Sequence, residues 1–319
     1  MARRPRIVVL GSLVFDFVAR AARLPRPGET LLGDMFGMFP GGKGANQAVQ
    51  AGRLGAEVFM IGRVGRDFLG DRLLASLQES GVSTEFVKQD ASVNTAACCI
   101  HVDADGRNAI VIVPEANMAC GQADVDNAAA VIRSADILLC QLEIPVATVA
   151  HAADLGFQHH VPVILNPAPA QALDGGLLKH VACLTPNESE AEILTDSSIE
   201  HRVIANHADP SVAQAAAKLR SQGVGTAIIT LAEHGAFFTN GRHEDLVPAF
   251  KVNAVDTTAA GDAFNGALAV ALAEGRAMRD AILFANAAGA LATTKTGAQP
   301  SLARRPEVES LLAGARATA

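Results

Sequence analysis

The chain contains neither tryptophan nor tyrosine, so its 13 phenylalanines are the only aromatic residues. This absence argues against a lectin-like platform on which sugar rings stack, and any bound sugar must be held mainly by directional polar contacts. Acidic residues outnumber basic ones, 33 to 26, so the formal net charge is −7. Without clustered Lys and Arg, the chain is not expected to bind nucleic acid. No apolar segment is long enough to cross a membrane, so no membrane partner is expected either.

Cysteines are few, and their spacing is not that of a metal site. The five residues are an odd number without a Cys-x-x-Cys pair: Cys98, Cys99, Cys120, Cys140 and Cys183. We predict that they are small buried side chains in a reducing compartment, which indicates a cytoplasmic protein.

Hydrophobic residues make up half of the 319 positions, which is enough for a substantial core in one large or two ordinary domains. Short β-branched runs alternate with amphipathic helical patterns, and strands are predicted at 7–10, 58–61, 137–140, 163–165 and 227–231. This alternation predicts an α/β fold, a three-layer α/β/α Rossmann-like arrangement with a mostly parallel sheet. Ligands of such sheets bind beyond the carboxyl ends of the strands, here near Gly11, Gln141, Asn166 and Leu231.

The N-terminus permits two interpretations. Three arginines precede the apolar run 7–15, a pattern that imitates a secretory signal peptide. Asp16 and the pair Gly11-Ser12 interrupt this pattern. We therefore favour a buried first strand at 7–10 that ends at the turn Gly11-Ser12.

The segment 256–267 reads Asp-Thr-Thr-Ala-Ala-Gly-Asp-Ala-Phe-Asn-Gly-Ala and is predicted to open a helix near Ala260. A turn of small residues before a helix leaves backbone N–H groups unpaired, and an anion can approach them closely. Asp262 would repel that anion, so its position is costly unless it contacts something beside the phosphate, such as a hydroxyl that gives up its proton. The alternative is that Asp262 merely stabilises the first helical turn.

A second unusual segment, 41–48, reads Gly-Gly-Lys-Gly-Ala-Asn-Gln-Ala at the head of another predicted helix. Residues 37–43 also fit the spacing of a nucleotide P-loop, but Gly44 replaces the Ser or Thr that such a loop needs, and no leading strand is evident. Segments 41–48 and 256–267 together resemble the paired signatures of the ribokinase-like carbohydrate kinases. Further similar pieces follow in order across almost the whole chain: Gln141-Leu142-Glu143, Asn166-Pro167-Ala168-Pro169, Thr185-Pro186-Asn187-Glu188 and Gly297-Ala298-Gln299-Pro300-Ser301.

The resemblance implies two structural parts. Residues 1–13, 41–93 and 114–319 would form the α/β core that binds nucleotide and substrate. Residues 14–40 and 94–113, which include a predicted β-hairpin, would form a β-sheet lid that shields the phosphoryl group from water and pairs with a second lid in a homodimer. The alternative for 94–113 is a plain surface hairpin.

The resemblance also implies ATP-dependent phosphorylation of the primary hydroxyl of a pentose, above all D-ribose. Asp262 would be the base, and the backbone N–H groups of Ala259, Ala260 and Gly261 would form the anion hole. The residues implied to contact the sugar, besides Asp262, are Asp16, Gly42, Lys43, Asn46 and Glu143. For Lys43 the alternative is a solvated surface cation.

For the nucleotide, the resemblance implies contacts from Asn187, Gly261, Asn286 and the loop Thr230, Leu231, Ala232, Glu233, His234 and Gly235. The family usually has Gly where this chain has Ala232, so the preferred nucleotide is an open question. Thr185 is predicted as a helix N-cap with Glu188 in its capping box. Asn187 and Glu190 then share one helix face, and in the family this pair organises Mg²⁺ and its waters.

The resemblance also implies a monovalent cation, K⁺, beside the anion hole; the implied positions are Asp256, Thr258, Ala292, Lys295, Gly297 and Ser301. One departure concerns the sugar. The family carries Asn where this chain has Val14, and its amide binds hydroxyls on the ring. Kinases for 2-deoxyribose, fructose or adenosine-type substrates therefore stay open as alternatives, and a non-catalytic sugar sensor is a remote one because it would be expected to lose the base or the anion hole.

Overall fold

The computed structural model describes residues 3–199, 203–204 and 207–317. Its strands are β1 (Arg6–Leu10), β2 (Val14–Arg20), β3 (Met35–Gly41), β4 (Glu57–Gly65), β5 (Val82–Asp90), β6 (Ala97–Val102), β7 (Asn108–Val113), β8 (Ile137–Cys140), β9 (Val163–Leu165), β10 (Cys183–Leu184), β11 (Val203–Ile204), β12 (His207–Ala208), β13 (Thr226–Thr230), β14 (Ala236–Thr239) and β15 (Glu244–Val247). Its α-helices are α1 (Lys43–Arg53), α2 (Phe68–Glu79), α3 (Gln122–Asn127), α4 (Ala129–Arg133), α5 (Val146–Gln158), α6 (Gly175–Leu178), α7 (Glu188–Thr195), α8 (Pro210–Ser221), α9 (Ala260–Ala273), α10 (Met278–Ala292), α11 (Ala298–Ser301) and α12 (Arg305–Ala317), and 3₁₀ turns cover Glu115–Ala119 and Ala232–His234.

A nine-stranded sheet forms the centre of the molecule, in the order β15-β14-β13-β10-β9-β8-β1-β4-β5. Seven of these strands are parallel, and β14 and β15 add an antiparallel edge. The first strand, β1, lies in the interior of the sheet, and Ile7, Val8, Val9 and Leu10 are completely buried. A strand with helices on both faces needs apolar side chains on both, which explains the unbroken hydrophobic run.

Helices cover both faces of this sheet and bury two separate apolar layers. One layer contains side chains of α1, α2, α9, α10 and α12, among them Val49, Leu73, Leu268, Phe284 and Val308. The other contains side chains of α3, α4, α5, α7 and α8, among them Val125, Ile132, Val149, Ala191 and Leu219. The predicted three-layer α/β/α fold is confirmed.

Helices α1 and α9 approach each other unusually closely. A Cβ atom at Gly266 in α9 would lie 2.7 Å from the carbonyl oxygen of Gln47 in α1. Likewise, a Cβ atom at Gly44 would lie 2.6 Å from the backbone nitrogen of Ser12, which follows β1. Only glycine permits these backbone contacts, so the N-terminal part of α1 is held tightly against both β1 and α9.

A second sheet of four strands, in the order β3-β2-β6-β7, contains the segments that the resemblance assigned to a lid. It is mixed, because β2 pairs parallel with β6 while the other pairs are antiparallel. The hairpin turn between β6 and β7 is closed by the Asp103 carboxylate, which accepts the backbone N–H groups of Asp105 and Arg107. The division into core and lid stays a prediction, and residues 1–2, 200–202, 205–206 and 318–319 of the predicted core lie outside the described residues.

Three expectations from the sequence were wrong. A strand does lead into segment 41–48, because β3 reaches Gly41; its Pro40 is tolerated since β3 is an edge strand. Helix α7 begins at Glu188 with Asn187 as its N-cap and Glu190 in the capping box, rather than with Thr185 and Glu188. Cys99 is exposed, although the other four cysteines are buried, and all five are free thiols. Within the described part of the chain, no helix is both long and apolar enough to span a membrane.

Candidate active site

Polar side chains converge where four parallel strands of the large sheet end. Ser12 follows β1, Gln141 follows β8, Asn166 follows β9 and Thr185 follows β10, and all four are buried. The N-termini of α1 and α9 open onto the same edge, since Gln47 of α1 donates a hydrogen bond to Asn166 and Thr185 donates one to Asn265 of α9. The expected ligand edge of the sheet is therefore lined with hydrogen-bonding groups.

Asp262 lies in the first turn of α9, and its carboxylate is held by two amide side chains from α1. Its Oδ2 accepts a hydrogen bond of 2.9 Å from Asn46 Nδ2, and its Oδ1 accepts one of 2.9 Å from Gln47 Nε2. Burial raises the pKa of Asp262, while the Lys43 ammonium and the two amides oppose that rise. Donors to the charged form and a nearby cation keep a buried carboxylate available as a proton acceptor.

The turn before α9 leaves backbone N–H groups free. Ala259 adopts a left-handed conformation with φ 60°, which redirects the chain into the helix. Ala260 N–H makes a long contact of 3.3 Å with Thr257 O, whereas the amides of Ala259 and Gly261 have no acceptor among the described residues. A Cβ atom at Gly261 would meet no other atom within 4 Å, and the residue is exposed, so the space beside this turn is open. Such a turn can receive an anion.

Lys43 stands among three acidic side chains. Burial alone would lower the pKa of its ammonium, but the carboxylates of Asp262, Glu143 and Glu190 raise it above its ordinary value. Its own backbone N–H donates to Glu143 Oε2 at 3.0 Å, and Ser12 Oγ donates to the same oxygen at 2.5 Å. Lys43 is thus a cation inside the site, rather than the solvated surface cation of the alternative interpretation.

Asp16 projects from β2 toward the same cluster. Burial, followed by the charges of Glu143 and Asp262, raises the pKa of its carboxyl to about 7. No donor among the described residues hydrogen-bonds to this carboxylate. Val14 is two residues earlier on the same face of the strand, where it packs against Ala96 and Cys98.

Asn187 and Glu190 form a reciprocal cap at the start of α7. Asn187 Oδ1 accepts the backbone N–H of Glu190 at 2.8 Å, and Glu190 Oε2 accepts the backbone N–H of Asn187 at 2.9 Å. Burial raises the pKa of Glu190, against the effects of that N–H and of Lys43. Asn187 also forms a bridge with Thr230 of β13, which connects this cap to the predicted nucleotide loop.

The loop that follows β13 is tightly built. Leu231 N–H donates to Gly235 O at 2.7 Å, so residues 231–235 fold back on themselves around Ala232, Glu233 and His234. Ala232 has φ 46°, a left-handed conformation that favours glycine, which gives a physical reason for the glycine usual in the family. Asn286 of α10 contacts the end of β15. Its amide group donates hydrogen bonds to Val247 O and Pro248 O.

Three of the positions predicted for a monovalent cation are joined by hydrogen bonds of the Asp256 carboxylate. Asp256 Oδ1 accepts the backbone N–H and hydroxyl of Thr258, and its Oδ2 accepts the backbone N–H of Gly297 at 2.8 Å. Lys295 instead pairs with Glu307 at the surface. Ala292 ends α10, and the hydroxyl of Ser301 is buried and bonded to Ala298 O at the end of α11.

Several polar residues of the site were not predicted from the sequence as functional. These are Gln47, Thr185 and Asn265; Gln141 and Asn166 were noted as strand ends and as parts of the family-like segments, but no role was predicted for them. Gln47 follows Asn46 in a helical pattern, and nothing in that pattern distinguished it from an ordinary helical residue.

Two open surface clefts, of about 660 and 470 Å³, lie around the β14–β15 turn at the opposite edge of the sheet and share His243 and Glu244.

Comparison with known proteins agrees with this geometry. The model of the pfkB family carbohydrate kinases matches residues 4–305. The chain belongs to the pfkB family of carbohydrate kinases. As a member, it is a kinase that transfers phosphate to a sugar hydroxyl, and the family predicted from the motifs is confirmed.

Relatives within the pfkB family cover nearly the whole chain. Ribokinase from Bacillus subtilis (strain 168) is 42% identical over 96% of this chain and 99% of its own length. Deoxyribokinase from Salmonella typhi is 36% identical over 92% of this chain and 94% of its own. The structure of Arabidopsis thaliana ribokinase complexed with ribose and ATP superposes with a TM-score of 0.90 and 32% identity, over 97% of this chain and 99% of that one.

Proposed function

We propose that the protein transfers the terminal phosphoryl group of ATP to the primary hydroxyl of D-ribose in the cytoplasm, giving D-ribose 5-phosphate and ADP. The observation that carries the proposal is the Asp262 carboxylate, held by two amides beside the unpaired amides of Ala259 and Gly261. A base and an anion hole side by side are what in-line phosphoryl transfer requires. Relatives named ribokinase and the ribose and ATP of the Arabidopsis structure support the choice of substrates.

Each group then has a role in the transfer. Asp262 accepts the hydroxyl proton while the sugar oxygen bonds to phosphorus and the bond from phosphorus to the ADP oxygen breaks. The free amides before α9 and the Lys43 ammonium stabilise charge on the transferring oxygens. Asp16, Glu143, Gly42 and Asn46 bind the sugar. Asn46 Oδ1 is buried and has no partner in the part of the chain that the structure describes, so it supplies an acceptor for a sugar hydroxyl.

The remaining nucleotide contacts are also proposals. Residues 230–235 would hold the nucleotide beside Asn187, because Thr230 bridges to Asn187. Asn286 would border the nucleotide site on its other side. Its amide is already hydrogen-bonded to Val247 O and Pro248 O, so it would act by holding the segment after β15 in place.

Mg²⁺ fits the donor set at the start of α7. No group of three or more His, Cys, Asp or Glu residues in the described ranges is arranged to hold a metal ion. Mg²⁺ commonly uses one or two carboxylates and keeps its waters and phosphate ligands, so Glu190 with Asn187 is a sufficient protein contribution. When bound, the ion would neutralise phosphate charge. For K⁺, the carboxylate of Asp256 and the Thr258 hydroxyl are the fitting donors, while the side chain of Lys295 is turned away.

A homodimer through the small sheet is proposed from its outer strand. β7 is an edge strand, and Ile110, Val111, Ile112 and Val113 are 45–64% exposed. An apolar edge of this kind is expected to be covered in a stable protein. In the proposed dimer, β7 of each copy would cover β7 of the other. Sedimentation should give the mass of a dimer, and a Val111→Lys variant should sediment as a monomer.

The test of the substrate is a panel of pentoses, hexoses and nucleosides with ATP and Mg²⁺, followed by phosphate transfer to the sugar. Ribose should have the highest kcat/KM. If ribose is no better than the other sugars, the proposed substrate is wrong while the kinase class stands.

A second candidate substrate is 2-deoxyribose, and Val14 favours it. Val14 lies on the Asp16 face of β2 in an apolar cluster, so it cannot hydrogen-bond a ring hydroxyl. A hydroxyl left unpaired costs about 1–3 kcal/mol, or roughly tenfold or more in preference. The kcat/KM ratio of ribose to 2-deoxyribose should rise about tenfold in Val14→Asn. An unchanged ratio would show that this position does not face the distinguishing hydroxyl.

A further inference from the structure

Gln47 of α1 contacts the proposed base from a completely buried position. Its side chain is completely buried, and Nε2 lies 2.9 Å from Asp262 Oδ1 and 3.1 Å from Asn166 Oδ1. We propose that Gln47 is a positioning residue, which fixes the orientation of the Asp262 carboxylate and holds it in the ionised state. This inference rests on the proposed role of Asp262 as the base.

The polarity of the Gln47 amide is set by its neighbours. Gln141 Nε2 donates to Gln47 Oε1 at 2.6 Å, which directs the Nε2 group of Gln47 toward Asp262. Asn166 confirms that direction, because its Oδ1 accepts from Gln47 while its Nδ2 donates to Thr185 O. An amide turned by 180° would place its oxygen against a carboxylate and another amide oxygen. The network therefore permits one orientation only.

This network is maintained at a cost to stability. Gln141 Oε1 is buried and has no partner among the described residues, and such an acceptor is unfavourable in a protein interior. Gly11 makes room for it, since a Cβ atom there would lie 2.0 Å from that oxygen. An apolar side chain would fill the space more favourably. A network of buried polar side chains that ends at Asp262, in place of apolar packing, is expected if the network serves the reaction.

Asp262 is surrounded by other charges, which must be counted before its titration is interpreted. Lys43 faces it from α1, Glu143 from the segment after β8, Asp16 from β2 and Glu190 from α7. Among these, Lys43 favours the ionised carboxylate and the three acids disfavour it. Gln47 provides a neutral donor that favours ionisation, so its loss should raise the pKa at which the base becomes protonated.

The variant that tests the proposal is Gln47→Met, because methionine has a similar length and no donor. The base acts only when ionised, so activity falls as the pH drops through its pKa. The acidic limb of the kcat profile at saturating sugar, where the titration of Asp16 in the free enzyme does not contribute, should therefore move upward by about one pH unit in Gln47→Met. At high pH a loss of about tenfold in kcat should persist from misorientation of the carboxylate.

Gln50→Met is the matched control. Gln50 is one turn further along α1, is equally buried, and donates its amide to Ala303 O at 3.0 Å without contacting Asp262. It should lower the melting temperature as much as Gln47→Met and leave the acidic limb in place. Gln141→Met, which removes only the group that orients Gln47, should shift the limb in the same direction by less.

A readout without turnover separates this inference from the proposed function. In protein labelled with ¹³C at aspartate carboxyls, the Asp262 signal is assigned by its absence in Asp262→Asn. Its titration midpoint should rise in Gln47→Met and stay unchanged in Gln50→Met. If no sugar is phosphorylated but the midpoint rises, the function fails and the positioning role stands. The inference is overturned if the midpoint and the acidic limb both stay unchanged in Gln47→Met, or if Gln50→Met moves them equally. If Gln47→Met does not fold, Gln141→Met takes its place, and the same two results would overturn the inference.

Discussion

Asp262 and Asp16 are two carboxylates of one site with different surroundings. Asp262 lies in the first turn of α9, which packs against the large sheet, and it receives hydrogen bonds from two amide side chains. Asp16 lies on β2 of the small sheet and has no hydrogen-bond donor within the described ranges. Burial raises the pKa of both, that of Asp16 to about 7. We infer that the helices hold their carboxylate in place before substrate binds, whereas the carboxylate of the small sheet would acquire its partners from the proposed sugar.

The largest effect is expected from Asp262→Asn, which removes the prepared carboxylate. Without a proton acceptor, kcat should fall about 10²-fold or more, while the sugar KM changes little. Steady-state kinetics with the preferred sugar measure both. Undiminished turnover would rule out Asp262 as the base.

A smaller effect is expected from Asp16→Ala. Hydrogen bonds from sugar hydroxyls to a carboxylate contribute about 1.5–3 kcal/mol, so the sugar KM should rise roughly 10- to 100-fold while kcat changes less. The KM for ATP serves as the internal control and should be unaffected. If kcat falls instead and the sugar KM stays constant, Asp16 is not a substrate contact.

The pH dependence of sugar binding should distinguish the two carboxylates further. The ionised form of Asp16 accepts the hydroxyls, and its pKa is about 7. The sugar Kd should therefore rise as the pH falls below 7, approaching about tenfold per pH unit. Calorimetric titrations from pH 5.5 to 8.5 measure this, and the dependence should be lost in Asp16→Ala. A persistent dependence in that variant would assign the titration to another group.

The smallest effect concerns stability. Between the ordinary value of 3.8 and about 7, the folded protein holds a proton on Asp16 that the unfolded chain has released. The free energy of unfolding therefore falls as the pH rises through this window and stays low above it. Asp16→Asn should be more stable than the wild type by about 1–3 kcal/mol at pH 8, allowing for partial exposure, and nearly equal at pH 4. Urea denaturation at both pH values measures this, and an equal difference at both would contradict the assignment.

The fold was largely predictable because buried parallel strands and amphipathic helices leave strong periodic signals. The run at 7–10 became the interior strand β1, and the predicted helix at Ala260 begins at that residue as α9. Strand β3 was not predicted, since Gly37 and Pro40 suppress the local signal and an edge position permits both. Cys99 is exposed because it alternates with buried Cys98 on β6, and one face of that sheet is open.

The candidate site was predictable only where residue type alone suggests chemistry. A charged Asp262 in a turn of small residues is conspicuous, whereas Gln47 and Asn265 are ordinary helical residues whose roles depend on neighbours 80 or more residues away in the sequence. The capping of α7 was misassigned for a similar reason. Thr185 and Asn187 are both good N-caps, and Thr185 is instead used by a long-range hydrogen bond to Asn265.

The glycine contacts of α1 constrain how the enzyme can be retargeted. Gly44 and Gly266 press α1 against β1 and α9 without room for one additional methyl group. A library that diversifies these helices to admit a bulkier acceptor would mostly yield chains that misfold. Val14 and Cys98 lie on the separate small sheet, next to Asp16, which is proposed to bind the sugar. Variation on β2 and β6 would leave the junction of α1 intact, so we expect it to be the better route to a new acceptor.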